Sequence, residues 1–167
     1  MLTENNLTWK MRLRELFIDY ICILIYLIIL FGITMGIYLV VLKGIPEFNE
    51  LQSQLVALLT SVIPIVLIFS FWDYSKGSIG KRKAGLELYY ANKTFGASLV
   101  RNIIKFLPWQ LGHIGTIRGI YTNFDTVAII FTICSMVLAI VLLVMGLVRR
   151  DKRHLGDLIA GTQTQVR

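Results

Sequence analysis

Three stretches of the chain run apolar with almost no interruption: residues 16–42, 51–72 and 127–148. Each exceeds the roughly 20 residues that an α-helix needs to cross about 30 Å of hydrocarbon. One such run is compatible with a buried helix of a soluble domain. Three in 167 residues are more than a soluble domain of this size can hide. The pattern therefore predicts an all-α, polytopic integral membrane helical bundle. The first run is too long for the apolar core of a signal peptide, and polar and acidic residues precede it, so it is expected to stay as a permanent span. The short loop between the first two runs makes them an antiparallel hairpin. Pro64 predicts a kink within the second run, with Thr60 and Ser61 available to satisfy freed carbonyls. Gly32 and Gly36 form a small-xxx-small pattern that permits close helix approach in lipid.

Charge decides the topology. The apolar fraction is 56%, yet the formal net charge is +7. In a soluble protein that balance would suggest nucleic acid. Here the basic residues flank the apolar runs, so anionic lipid headgroups and the positive-inside bias are the expected cause, and no nucleic acid is expected. Lys10, Arg12 and Arg14 precede the first run. A basic segment follows the second, and Arg149, Arg150, Lys152 and Arg153 follow the last. Each basic flank belongs in the cytoplasm, so both termini are expected inside and the number of crossings must be even. The missing crossing falls on residues 97–121, which include RNIIKFLPWQLGH at 101–113. Alone this helix would insert poorly: each of Arg101, Lys105 and Arg118 costs up to about 3 kcal/mol at mid-bilayer, and each Leu, Ile or Phe returns about 0.5. The cations lie towards its two ends and are expected to snorkel, with Gly112, Gly115 and Gly119 packing against other spans. The rival reading is an interfacial helix up to Pro108 followed by a re-entrant dip. The expectation is a single domain of four transmembrane helices, about 16–42, 51–72, 97–121 and 127–148, with both ends in the cytoplasm.

Few residues suggest chemistry. Cys22 and Cys134 fall inside apolar runs and read as small hydrophobes, and no zinc spacing links them to His113 or His154. GSIGKRK at 77–83 lacks the phosphate-loop spacing, with Arg82 where a hydroxyl should stand, and reads as a glycine-hinged basic turn at the headgroups. Arg12 and Asp19 are seven apart, on one helix face, with Glu15 between them and Tyr26 extending the stripe. A carboxylate inside a span is a functional candidate by default. For Asp19 the structural alternative is an ion pair to Arg101 or Lys105. His113 is either a proton relay or a hydrogen-bonded structural residue. Asp157 is expected to pair with an arginine, Arg12 or one of the 149–153 cluster. No Ser-His-Asp order, HExxH or paired intramembrane aspartates occur, so no enzyme is expected.

Three pieces in order, RLRELFID at 12–19, SIGKRKAGLEL at 78–88 with the later RNIIKFLPWQLGH, and HLGDLIAGT at 154–162, resemble the RDD family of bacterial membrane proteins. The resemblance places the name-giving residues on Arg12, Asp19 and Asp157, and the family's further motif positions on Gly80, Lys81, Arg82, Arg101 and Asn102. Gly156 stands where many relatives carry a histidine, and His154 is near but not equivalent, so no role is built on a His–Asp pair. What the resemblance implies is transport: a small cation (Na⁺, Li⁺ or K⁺)/proton exchanger or other transporter, expected to need a homodimer or larger assembly because one four-helix bundle leaves little room for two alternating states. The alternative is a non-catalytic scaffold or regulatory partner of a larger membrane protein or protease. No cofactor and no resident metal are expected.

Overall fold

The computed structural model describes residues 7–167. Helix α1 spans Trp9–Gly36 and continues through a π-helical turn, Ile37–Val41. It starts ahead of the apolar run because Thr8 caps it, its Oγ1 accepting from the Met11 N–H at 3.4 Å. Helix α2 (Glu50–Ala57), a π-helical turn (Leu58–Val62) and α3 (Ile63–Ser75) form one continuous rod. The π turn lies just before Pro64, which has no N–H for the Thr60 carbonyl. The Tyr26 hydroxyl donates to that carbonyl at 2.6 Å. The Thr60 and Ser61 hydroxyls donate to the Val56 and Ala57 carbonyls, each at 2.6 Å. There follow α4 (Ile79–Lys83), β1 (Leu86–Tyr90), α5 (Phe95–Thr122), α6 (Thr126–Val148), α7 (Leu155–Ile159) and β2 (Thr162–Val166).

The fold is not purely helical. β1 and β2 pair antiparallel, Leu86 opposite Val166 and Tyr90 opposite Thr162, and close a small ribbon over one end of the bundle. β1 alternates in the two-residue period of a half-buried strand, whereas β2 is buried at Thr162, Gln163 and Thr164 alike and emerges only at its end. The all-α expectation thus holds for the bundle and fails for its lid.

α5 is one helix of 28 residues that passes through Pro108 without interruption. It turns into α6 through Asn123 and Phe124, whose φ values are 52° and 58°. The two helices lie close enough that a Cβ added at Gly115 would sit 2.5 Å from Thr132 Oγ1. Gly32 and Gly36 instead face open space, with no atom within 4 Å of an added Cβ. The hydrophobic centre is Val62, Ile65, Val66, Phe69 and Phe106, where α3 meets α5.

The bundle has two distinct ends. The start of α1, the end of α3, the start of α5 and the segment after α6 meet at one end, joined through Arg12, Asp73, Arg101 and Asp157. At the other, Arg118 of α5 bonds Asp125 at 2.6 Å and faces Glu50 of α2 at 3.5 Å. The Tyr121 hydroxyl donates to the Phe48 carbonyl there. Between the ends the outer surface is apolar, with Phe31 65% and Ile140 58% exposed. Trp9–Val41, Glu50–Ser75 and Thr126–Val148 are long and apolar enough to cross a membrane. An apolar girdle of this kind makes the chain a membrane protein.

Candidate functional site: a buried ionic latch

Among the described residues, four cations and four carboxylates fill the end of the bundle beneath the ribbon: Arg12, Lys81, Arg101 and Lys105 against Glu15, Asp19, Asp73 and Asp157. They come from five elements. Helix α1 supplies Arg12, Glu15 and Asp19, at spacings of three and four that keep them on one face. The end of α3 supplies Asp73, α4 supplies Lys81, α5 supplies Arg101 and Lys105, and α7 supplies Asp157.

Asp73 is a hub. Its Oδ1 lies 2.8 Å from Lys81 Nζ, and its Oδ2 2.6 Å from Arg101 Nη1 and 3.2 Å from Asn102 Nδ2. Arg101 is the second hub, its Nε donating to Asp157 Oδ1 at 2.6 Å. The planar guanidinium thus bridges α3 and α7 from α5, two carboxylates that no single ammonium spans with the same geometry. Arg12 bonds Glu15 at 2.6 Å, the β2 Thr164 hydroxyl at 3.0 Å and the Lys152 carbonyl at 3.0 Å, and faces Asp157 at 3.7 Å. Lys81 reaches Glu15 at 3.2 Å.

Asp19 is held differently. The Gly80 N–H and the Ser78 hydroxyl both donate to it at 2.8 Å, so α4 is docked on α1 mostly by uncharged donors. Among the described residues Lys105 is the one cation paired with it, at 3.6 Å. That ammonium rests over the rings of Phe69 and Phe106, 4.6 and 5.2 Å from their centroids, and has no hydrogen-bond partner among the described residues. Arg101 does not touch Asp19; it is spoken for by Asp73 and Asp157.

Several expectations change. The GSIGKRK turn does not lie flat at the headgroups: Lys81 is fully buried, and only Arg82 and Lys83 point outward. Lys81 stays charged in that place. Burial alone would lower its pKa, but Asp73 and Glu15 outweigh both burial and the repulsion of Arg101 and raise it. Arg101 and Lys105 do not snorkel; they turn inward. Tyr26 leaves the α1 stripe for the Thr60 carbonyl. His113 stacks on Trp109 and lies 3.3 Å from the Ser61 hydroxyl, twelve residues or roughly 18 Å along α5 from Arg101. Asp157 pairs chiefly with Arg101, while Arg153 bonds its backbone carbonyl at 3.0 Å.

His154 does form a pair with Asp157, through the turn rather than through adjacency. Its Nδ1 accepts from the Gly156 N–H at 3.0 Å, so the neutral ring carries its proton on Nε2, 3.3 Å from Asp157 Oδ2. Burial pulls the ring from the ordinary 6.5 down to about 3, against the attraction of Asp157. Burial alone would raise Asp157, but Arg101 and Arg12 hold it well below the usual carboxylate range.

The sign of the pH dependence follows. Below pH 6.5 the unfolded His154 binds a proton that the folded ring refuses until about pH 3. The unfolded state binds more protons in that window, so stability falls on acidification, by up to about 1.4 kcal/mol per pH unit. The Asp157 contribution is present above its unfolded pKa of 3.8 and is lost further down, as pH falls through the lower folded value. The Tm of the purified protein is expected to fall from pH 6.5 to 4.5, and His154→Gln to remove most of that slope. Equal slopes in the two proteins would overturn the assignment of a neutral buried imidazole.

Sequence reasoning missed Asp73, Ser78 and Thr164. Asp73 gives a weak signal, as one acid closing an apolar run, eight residues before Lys81. Thr164 gives none. Beside the latch, between α1, α5 and α6, lies a cavity of about 280 Å³.

Comparison with protein families gives a match to the RDD family over residues 8–161, nearly the whole chain. No curated protein and no solved structure matches. The matched span takes in every member of the latch.

Proposed function

The chain belongs to the RDD family, and from that premise we propose a multi-pass protein of the bacterial cytoplasmic membrane with four crossings and both termini inside, acting as a non-catalytic scaffold. The observation that carries the scaffold reading is the charge balance of the latch. Each carboxylate is already occupied by a cation or by N–H and O–H donors of the protein itself, at 2.6–2.8 Å. A transported ion would have to displace these partners, and breaking one buried pair costs about 3–5 kcal/mol. A bundle tied so at one end favours a single global state, suited to holding a larger membrane protein or protease rather than to alternating access.

Support for the fourth crossing is geometric. α5 departs from the latch end and α6 returns to it, as α1 departs and α2–α3 returns. Lys76, Arg82, Lys83, Lys93, Arg149 and Arg150 are exposed, and nearly all flank this end, where the positive-inside bias and anionic headgroups place them in the cytoplasm. Reporter fusions after residues 90 and 167 are expected to read cytoplasmic and a fusion after residue 123 external. A cytoplasmic signal at 123 would remove the fourth crossing.

A second reading, the cation/proton exchanger, has one observation in its favour. Lys105 is the loosest member of the latch, 3.6 Å from Asp19 and otherwise on aromatic faces. In that reading Na⁺, Li⁺ or K⁺ competes with the Lys105 ammonium for Asp19. Everted vesicles decide between the two. The scaffold reading expects no Na⁺-dependent dequenching of a pH dye above protein-free vesicles. Dequenching that Asp19→Asn abolishes would establish exchange instead.

A further inference from the structure

We infer that the cavity between α1, α5 and α6 is a hydrocarbon site, which takes part of one acyl chain of a bilayer lipid and does not read its headgroup. The wall it presents is almost wholly apolar, with Leu16, Phe106, Trp109 and Leu142 among its lining. Arg12, Glu15, Arg101 and Lys105 border it too. Their charged ends are turned to one another and to Asp19, Asp73 and Asp157, so what they show the cavity is chiefly aliphatic stem. Such a wall selects its occupant by exclusion. A buried water needs about two to four polar partners, and an anion or a headgroup needs polar partners as well. Neither finds them here. Cavities of this kind stay dry and accept apolar guests.

The entrance lies on α6. That helix packs chiefly on α5 and barely meets α1. Ala139 and Gly146, seven apart on one face, keep that side of α6 thin. Gly146 is buried, yet a Cβ added there would meet no atom within 4 Å. The hole is where its side chain would stand. Ala139 and Leu143 line the cavity and are exposed, so it is continuous with the lipid-facing girdle. In a bilayer the apolar guest at that entrance is an acyl chain. From Ala139 to Gly146 is roughly 10 Å along the helix. The volume, about 280 Å³, is at the lower edge of the roughly 300–1,000 Å³ typical of small-molecule sites. It holds a length of one chain, and the headgroup and second chain stay outside. In the topology proposed above the chain comes from the cytoplasmic leaflet; the leaflet rests on that topology and the cavity does not. The consequence falls on the latch. A chain in this place closes the side of the latch that borders the cavity, so water there does not weaken its ion pairs.

Labelling from the chain itself tests the site. The full-length protein is reconstituted in phosphatidylcholine vesicles with a trace of phosphatidylcholine bearing a diazirine in one acyl chain. After irradiation the adducts are located by peptide mass spectrometry. Ile140 and Val144 are exposed on the girdle and should be labelled whatever the cavity holds. Pro108 is buried and lines the cavity, so label on it reports a chain inside. The wild type is expected to carry label on Pro108 as well as on the two outward residues. Gly146→Leu and Ala139→Leu fill the hole from α6 and leave the latch untouched. Each is expected to lose the Pro108 label and to keep the other two. Gly32→Leu, where an added Cβ meets nothing within 4 Å, is expected to keep all three. A phosphatidylglycerol with the same diazirine chain is expected to label Pro108 equally. Label confined to Ile140 and Val144 in the wild type, or undiminished on Pro108 in a cavity-filling variant of wild-type Tm, would overturn the site. Pro108 label that follows the headgroup would overturn recognition through the chain alone. Acyl-chain labelling reads the cavity and the vesicle assays read the latch, so failure of one leaves the other standing.

Discussion

Arg101→Ala is expected to cost more stability than any other removal of a single side chain. Arg101 is 1% exposed and holds two carboxylates that belong to different elements, Asp73 at the end of α3 and Asp157 in α7. Without it Asp73 keeps Lys81 and Asn102, while Asp157 keeps the Thr162 hydroxyl at 2.8 Å and a distant Arg12 at 3.7 Å. Removing one partner of a buried ion pair costs about 3–5 kcal/mol, chiefly because the other charge stays buried. At roughly 2–4 °C per kcal/mol for a chain of this size, Tm should fall by about 6–20 °C. Arg101→Lys should recover part of this and not all, since an ammonium cannot reproduce the two-armed geometry. Adding Asp157→Asn to Arg101→Ala should cost less than the two single losses together, because the orphaned charge is then gone. A Tm within a degree or two of wild type for Arg101→Ala would show that the latch contributes nothing to holding the bundle. Loss of Arg118, whose pairs are a third exposed, should by contrast cost no more than about 1 kcal/mol.

The latch explains which parts of this fold could be read from the chain and which could not. Apolar runs and basic flanks act through composition within a window of about 20 residues, so three helices and the orientation of the charges were legible without any partner being known. Lys81 shows where that logic stops. Its neighbours in sequence, Lys76, Arg82 and Lys83, are exposed, and a window over them reports a basic surface turn. Its partners, Glu15 and Asp73, lie on other helices. The four carboxylates are spread over positions 15 to 157, so no local segment displays the neutrality that burial creates. The ribbon is hidden for the same reason. LELYY alternates at first but TQTQV is polar up to its last residue, five residues without a known partner are a faint strand signal, and the partner lies 76 positions away. Arg12, Asp19 and Asp157 were singled out by resemblance, and the geometry supplies the reason that resemblance lacked: they tie α1 to α4, to α7 and to the ribbon. Asp73, the hub they depend on, had no motif to mark it.

Gly80→Ala is the other large effect expected, and it removes no charge. The glycine was read as a hinge, yet its backbone adopts no left-handed conformation. What it lacks is room. An added Cβ would overlap the Glu15 carbonyl oxygen and lie 2.5 Å from Asp19 Oδ1. One of these neighbours is backbone of α1 and the other is a carboxylate fixed by Ser78 and by the Gly80 N–H itself. Neither moves cheaply, so α4 must lift from α1. Lifting α4 stretches the Lys81 contacts to Glu15 and Asp73 and exposes Asp19 to loss of both its 2.8 Å bonds. Overpacking a tight interior site costs about 1–3 kcal/mol, and the lost hydrogen bonds to a charged group about 1.5–3 each. A single methyl should therefore lower Tm nearly as far as Arg101→Ala. Gly44→Ala is the matched control: an added Cβ there meets nothing within 4 Å, and Tm should move by no more than a degree or two. Because Asp19 is both the obstacle and the anchor, Asp19→Asn in the Gly80→Ala background should cost much less than in the wild type. Additive losses for the pair, or a Gly80→Ala protein as stable as Gly44→Ala, would mean that α4 is not clamped on α1.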